Sequence, residues 1–163
     1  MSEPAPGRYL VVRCALAGCM GPGSSTAGAD TPTNASHPTY IKPAMSDRGR
    51  TVLHVSPDTT LAKSRTRALT PIGYEVVCVE TVVTALFEIS MGRCGILLLC
   101  HKLDHTGRCT VAEYFHQNCP DPYIVAVLAH EHDHYPPQAH ARVVFSEDHA
   151  HLLRVLRQRL MAA

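Results

Sequence analysis

With 163 residues, 15 Lys and Arg against 14 Asp and Glu, and a formal charge of +1, the chain is long enough for one hydrophobic core. It is too evenly charged to attract nucleic acid or an anionic membrane surface by bulk electrostatics. Tryptophan is absent and 6% of residues are aromatic, which argues against a stacking platform for single strands, while eleven histidines give the charge room to move between pH 7 and pH 5.

Residues 1–50 contain "GPGSSTAGADTPTNASHPT" and show neither helical nor alternating periodicity. Such a stretch cannot bury enough apolar surface to offset its chain entropy and reads as a disordered tail. "LAGC" at 16–19 has the look of a lipoprotein cleavage box, but Arg13 interrupts the apolar run before it and Glu3 precedes that run, so the reading is a cytoplasmic protein. Met45 opens "MSDRGRTVLHV" and is an alternative start, because everything organised lies after it. No run approaches the ~20 apolar residues of a membrane span.

From Thr51 the pattern alternates between strand and helix. "TVLHV" (51–55) is an apolar strand, and "SPDTT" after it supplies turn and N-cap residues. Leu61, Arg65, Ala68 and Leu69 follow at helical spacing, stopped by Pro71 and Gly73. "YEVVCVE" (74–80) is the second strand, and "TVVTALFEISMG" a helix with Val82, Ala85, Leu86 and Ile89 on one face. "GILLL" (95–99) is the third strand, "TVAEYFHQN" (110–118) the third helix and "PYIVAVLA" (122–129) the fourth strand. Pro136-Pro137 leaves room for a turn or two before "ARVVF" (141–145), the fifth strand. "SEDHAHLLRVLRQRLM" is a closing helix capped by Ser146 or Asp148.

Strands two to five read as near-continuous hydrophobic runs, the mark of parallel strands covered on both faces. The implied fold is α/β, a doubly wound five-stranded parallel sheet with its working site at the carboxyl ends of the strands. The seven cysteines, at 14, 19, 78, 94, 100, 109 and 119, form no C-x-x-C pair and read mostly as small core residues of a reducing compartment. Cys100, ending the third strand, sits on the working rim by topology.

In the order of its elements, in the "GYEV" that enters the second strand, in "ILLLCHKLDHTG" and in "LLRVLRQRL", the chain from 51 to about 161 resembles the receiver domain of bacterial response regulators. The resemblance implies a flavodoxin-like strand order 2-1-3-4-5 and a role in two-component or phosphorelay signalling. It also implies an acidic pair holding Mg²⁺, a phosphoacceptor aspartate, a Ser/Thr and a Lys at the ends of strands one, three, four and five. Here those positions fall on Ser56 and Pro57, with Asp58 the only nearby carboxylate, and on Cys100, Leu128 and Phe145. Mg²⁺ wants oxygen ligands, and phosphoryl transfer needs metal and positive charge to spread developing negative charge. The reading is therefore a stand-alone, non-enzymatic pseudo-receiver of residues 51–163. It has no cofactor or metal and acts on a protein partner, a signalling kinase or a target, as a monomer or weak dimer.

Two sharper uses of Cys100 stand beside that reading. On an extended loop His130, His132 and His134 would share one side and, with Cys100, could bind zinc or copper. Alternatively Cys100 could sense oxidants, with Cys109 as resolving thiol and His101 and Lys102 as basic neighbours. The arginines of the closing helix read as a solvated face.

Overall fold

The computed structural model describes residues 48–162; the proposed tail up to residue 47, including Met45, lies outside the described residues. Arg48–Arg50, counted with the tail above, form instead a 3-10 turn leading directly into the first strand. Five strands follow: β1 (Thr51–Val55), β2 (Glu75–Val79), β3 (Ile96–Leu99), β4 (Tyr123–Leu128) and β5 (Ala141–Val144). They form one all-parallel sheet in the order β2-β1-β3-β4-β5, the order the resemblance implied. Four helices complete the fold: α1 (Thr59–Leu69), α2 (Val82–Ser90), α3 (His105–Asn118) and α4 (Ala150–Ala162).

The alternation of side chains across each strand divides the core in two. Leu53, Val55, Leu97 and Leu99 pack with Ala85 and Ile89 of α2 and with Val111, Ala112 and Phe115 of α3. Val52, Ile96, Leu98, Val125, Val127 and Val143 pack with Leu69 of α1 and with Leu152 and Leu156 of α4. The Tyr74 hydroxyl donates to the Leu156 carbonyl at 2.8 Å, tying the entry of β2 to α4.

Burial of the strands is less uniform than the hydrophobic runs predict. Central strands β1 and β3 are buried throughout and β4 nearly so, whereas the edge strands are not: β2 exposes Glu75 and half-buries Val77 and Cys78, and β5 exposes Arg142 and Val144. The exposure of β5 has a local cause. Residues 129–140 form turns rather than a crossover helix, as the two prolines foretold, so Arg142 and Val144 have no helix over them. The Arg142 guanidinium covers the Tyr135 ring instead, 4.9 Å from its centroid.

Helix α3 begins five residues before its expected start. The helical pattern reads from Thr110, yet Asp104 is the N-cap and accepts the Gly107 amide at 2.9 Å. Gly107 serves close packing: a Cβ there would lie 2.9 Å from the Asp104 carboxylate and 3.0 Å from Val82 on α2. A true turn glycine is Gly73, which closes the segment after α1 at φ 94°, where L side chains are strained.

Candidate functional site

The carboxyl ends of β1, β3, β4 and β5 bring the predicted rim residues to one end of the sheet. Ser56 continues β1, its amide donating to the Val79 carbonyl at 2.9 Å and its hydroxyl to the Asp58 carbonyl at 3.1 Å. Pro57 is exposed. Asp58 is the N-cap of α1, one carboxylate oxygen accepting the Thr60 and Leu61 amides at 3.0 Å each. The nearest approach to an acidic pair is thus engaged in holding a helix end.

Cys100 is 0% exposed and its amide donates to the Val55 carbonyl at 3.1 Å, extending the β1–β3 ladder by one residue. Its sulfur lies 4.0 Å from His101 Nδ1, at the outer limit of a hydrogen bond. Leu128 is buried, and its carbonyl accepts the Phe145 amide at 2.8 Å. The Phe145 ring packs on His101, centroids 4.8 Å apart, and lies under the Arg65 guanidinium at 5.9 Å.

Mg²⁺ does not fit this rim. Its ligands would be a serine hydroxyl, a proline, a thiol and a carboxylate already used as a cap, none of them the oxygen-rich set a hard ion requires. The surroundings are also positive. Arg65 is 1% and Arg108 8% exposed, and both, with Lys102, hold the His101 ring below its ordinary basicity, an effect led by its burial. Guanidinium nitrogens of both arginines are buried without hydrogen-bond partners among the described residues.

The histidine loop is organised by an acid rather than around a metal. Asp133 Oδ2 accepts the Ala129 and His130 amides at 2.9 Å each, which holds its carboxyl below the usual range. His134 turns to α3, its ring 6.0 Å from His105. Among the described residues no three His, Cys, Asp or Glu side chains are grouped to hold a metal, so His130, His132, His134 and Cys100 do not converge. Cys109 is half-buried with its sulfur 3.6 Å from His105 Nε2.

Sequence reasoning missed a polar cluster within the α1/α4 core. Arg65 Nη1 lies 2.9 Å from His54 Nε2 in a fully buried contact. Arginine can only donate, so Nε2 is the acceptor and the His54 proton resides on Nδ1, 4.0 Å from Cys78 Sγ. Burial, then the charge of Arg65, pushes the His54 pKa down to about 3, and the ring is neutral. His149 meets Ser64 at 2.9 Å between Nε2 and Oγ, from a backbone at φ 55°, a left-handed conformation uncommon outside glycine. Burial and the charge of Arg65 also lower the His149 pKa. The signal was present: Arg65 falls on the periodic face of α1, and His54 inside an otherwise apolar strand. A charge in an apolar register on two adjacent elements marks a buried polar pair.

No protein-family model matches the chain, and no curated protein matches it. Among solved structures it is similar to the response regulator TrrA from Thermotoga maritima, solved with Mg²⁺ and beryllofluoride. The TM-score is 0.60 at 21% identity, covering 68% of this chain and 98% of that one. A receiver domain from Methylobacillus flagellatus gives 0.59 at 17%, covering 68% and 98%. The receiver domain of a sensor histidine kinase from Pseudomonas aeruginosa, with magnesium in its active-site cleft, gives 0.58 at 17%, covering 69% and 98%. The chain therefore has the receiver fold.

Proposed function

We propose that this chain is a pseudo-receiver: a signalling protein of the two-component type that works by binding a protein partner and is not set by aspartyl phosphorylation. The observation that carries this reading is the rim itself. A receiver fold is present, and the position that the resemblance assigns to the phosphoacceptor falls on a fully buried thiol, Cys100, with Asp58 engaged as a helix cap and Phe145 following β5. The Thermotoga maritima regulator has also been solved in complex with the histidine kinase ThkA, which supports a kinase or kinase-like protein as the kind of partner. A cytoplasmic setting accords with the described residues, in which no helix is long and apolar enough to cross a membrane.

Incubation with acetyl phosphate, or with beryllofluoride and Mg²⁺, is expected to leave the mass and the amide spectrum unchanged. Saturable shifts at Ser56, Asp58 and Cys100 would overturn the reading. Thiol sensing is the alternative use of the same rim, and it fails if Cys100 is sluggish toward alkylation.

A further inference from the structure

The end of the sheet opposite the Cys100 rim brings two further cysteines together. Cys94 stands just before Gly95 and β3 and is 5% exposed, packed with Ile89 of α2 and Phe115 of α3. Cys119 is the C-cap of α3, half-buried, with its amide donating to the Phe115 carbonyl at 2.9 Å. The chain thus delivers one thiol at the entry of a strand and the other at the end of the helix that follows that strand. The Cys119 thiol donates to the Cys94 carbonyl, its sulfur 3.7 Å from that oxygen. That carbonyl and the Cys94 sulfur belong to one residue, so rotation about χ1 of Cys94 can swing its sulfur toward Cys119.

Room for that rotation is present. A cavity of about 100 Å³ lies at this place, lined by both cysteines together with Ile89, Gly92, Phe115 and Pro120. Its electrostatics favour a neutral product. Burial and then Glu88 push the Cys94 pKa up to about 12, with Glu75 and a charged Cys119 acting in the same sense against Arg93. A bis-thiolate metal complex would place negative charge in this field, whereas a disulfide carries none. Among the described residues no group of three His, Cys, Asp or Glu could complete a metal site.

We propose that Cys94 and Cys119 are a dithiol that a peroxide converts to an intramolecular disulfide. Cys119, the more accessible of the two, attacks one oxygen of hydrogen peroxide as its thiolate. The O–O bond breaks, the departing oxygen takes up a proton and leaves as water, and Cys119 becomes a sulfenic acid. Cys94, giving up its proton as it attacks, then forms the S–S bond to Cys119, and the S–O bond breaks to release a second water. The two thiols lose two electrons and two protons, and one peroxide is reduced to two waters. The bridge joins the entry of β3 to the end of α3, the transient kind of disulfide that a reducing compartment permits. It is independent of the signalling reading, since its sulfurs lie at the opposite end of β3 from Cys100.

The test takes the full chain, reduced and desalted, through hydrogen peroxide, an acid quench, alkylation in denaturant and peptide mapping by mass spectrometry. Before alkylation the mass of the bridged chain should fall by two hydrogens. One linked pair should then appear, tryptic peptide 94–102 joined to 109–142, and fragmentation separates Cys94 from Cys100 and Cys119 from Cys109 within it. In Cys94→Ala the bridge should be lost, and dimedone should trap a sulfenic acid on Cys119. Should that variant fail to fold, the map of the unaltered chain decides alone. Cys94 recovered entirely as the alkylated thiol, or Cys119 bridged to Cys14, Cys19 or Cys109, would overturn the proposal.

Discussion

The two faces of the sheet solve one packing problem in different ways. Toward α2 and α3 the hydrophobic cluster runs from Leu53 to Phe115, and Gly107 of α3 leaves room for Val82 of α2. Toward α1 and α4 the same sheet carries His54 opposite Arg65, with His149 and Ser64 beside them. The first face is held chiefly by burial, at about 25 cal/mol for each Å² of apolar surface removed from water, with Arg108 of α3 its buried charge. The second sacrifices part of that gain to enclose a charge. A buried polar pair is weak evidence for stability, so its place beside Phe145 and the strand ends points to specificity or binding.

The contrast can be broken first by truncation. Phe115→Ala on the apolar face should cost about 3–5 kcal/mol, the transfer term plus the cavity left behind. On the other face His54→Val, which strips Nη1 of its acceptor, should cost about 1–3 kcal/mol. The double variant His54→Val with Arg65→Leu should recover most of that loss, because apolar replacement of a whole buried polar pair is often neutral or stabilising. Denaturant midpoints at constant m-value measure all three. If the double variant is as damaged as Phe115→Ala, the two faces are equivalent and the pair is structural.

Acid should separate the faces next. His54 has a folded pKa of about 3 against an ordinary value of 6.5. Above pH 6.5 the ring is neutral in both states and its contribution is complete. Between 6.5 and 3 the unfolded chain binds a proton that the folded chain refuses, so stability falls as pH falls, by up to about 1.4 kcal/mol per pH unit. His101 and His149 are lowered too, and act with the same sign from 6.5 downward. Asp133 and Asp148 have carboxyls below 3.8, so their effect enters at lower pH, and the interval from 4.5 to 6.5 isolates the histidines. The double variant should flatten this slope, and an unchanged slope would remove His54 as its source.

The fold was legible in the sequence for a physical reason. β1, β3 and β4 are buried nearly throughout, so their residues, Thr51 and His54 apart, are mostly apolar, and the prolines at 136 and 137 forbade a helix where none is found. The start of α3 was hidden because Gly107 is a packing residue that looks like a turn residue. Ser56, Cys100, Leu128 and Phe145 could be placed at the strand ends because the strands ending there were clear. The Arg65 cluster was not, since it depends on which faces of α1 and β1 meet, and spacing within one element does not report that. A charged residue in a core register is the one-dimensional trace of such a contact.

The smallest effect expected is at Cys100, where the two faces meet the rim. Reactive cysteines are accessible thiolates in electropositive surroundings, and oxidation follows the same two conditions. Cys100 has no access, being wholly buried with its amide fixed to Val55. Access must come first, because a reagent cannot reach a sulfur that the fold encloses. Alkylation of Cys100 at pH 7 should therefore be no faster than that of a free cysteine, and slower than that of half-buried Cys109 in the same chain. Cys100→Ala removes one small buried group and should cost on the order of 1 kcal/mol, far less than Phe115→Ala. Rapid labelling at pH 6 that disappears in Cys100→Ser would show that the rim opens on its own, and would put thiol sensing ahead of partner binding.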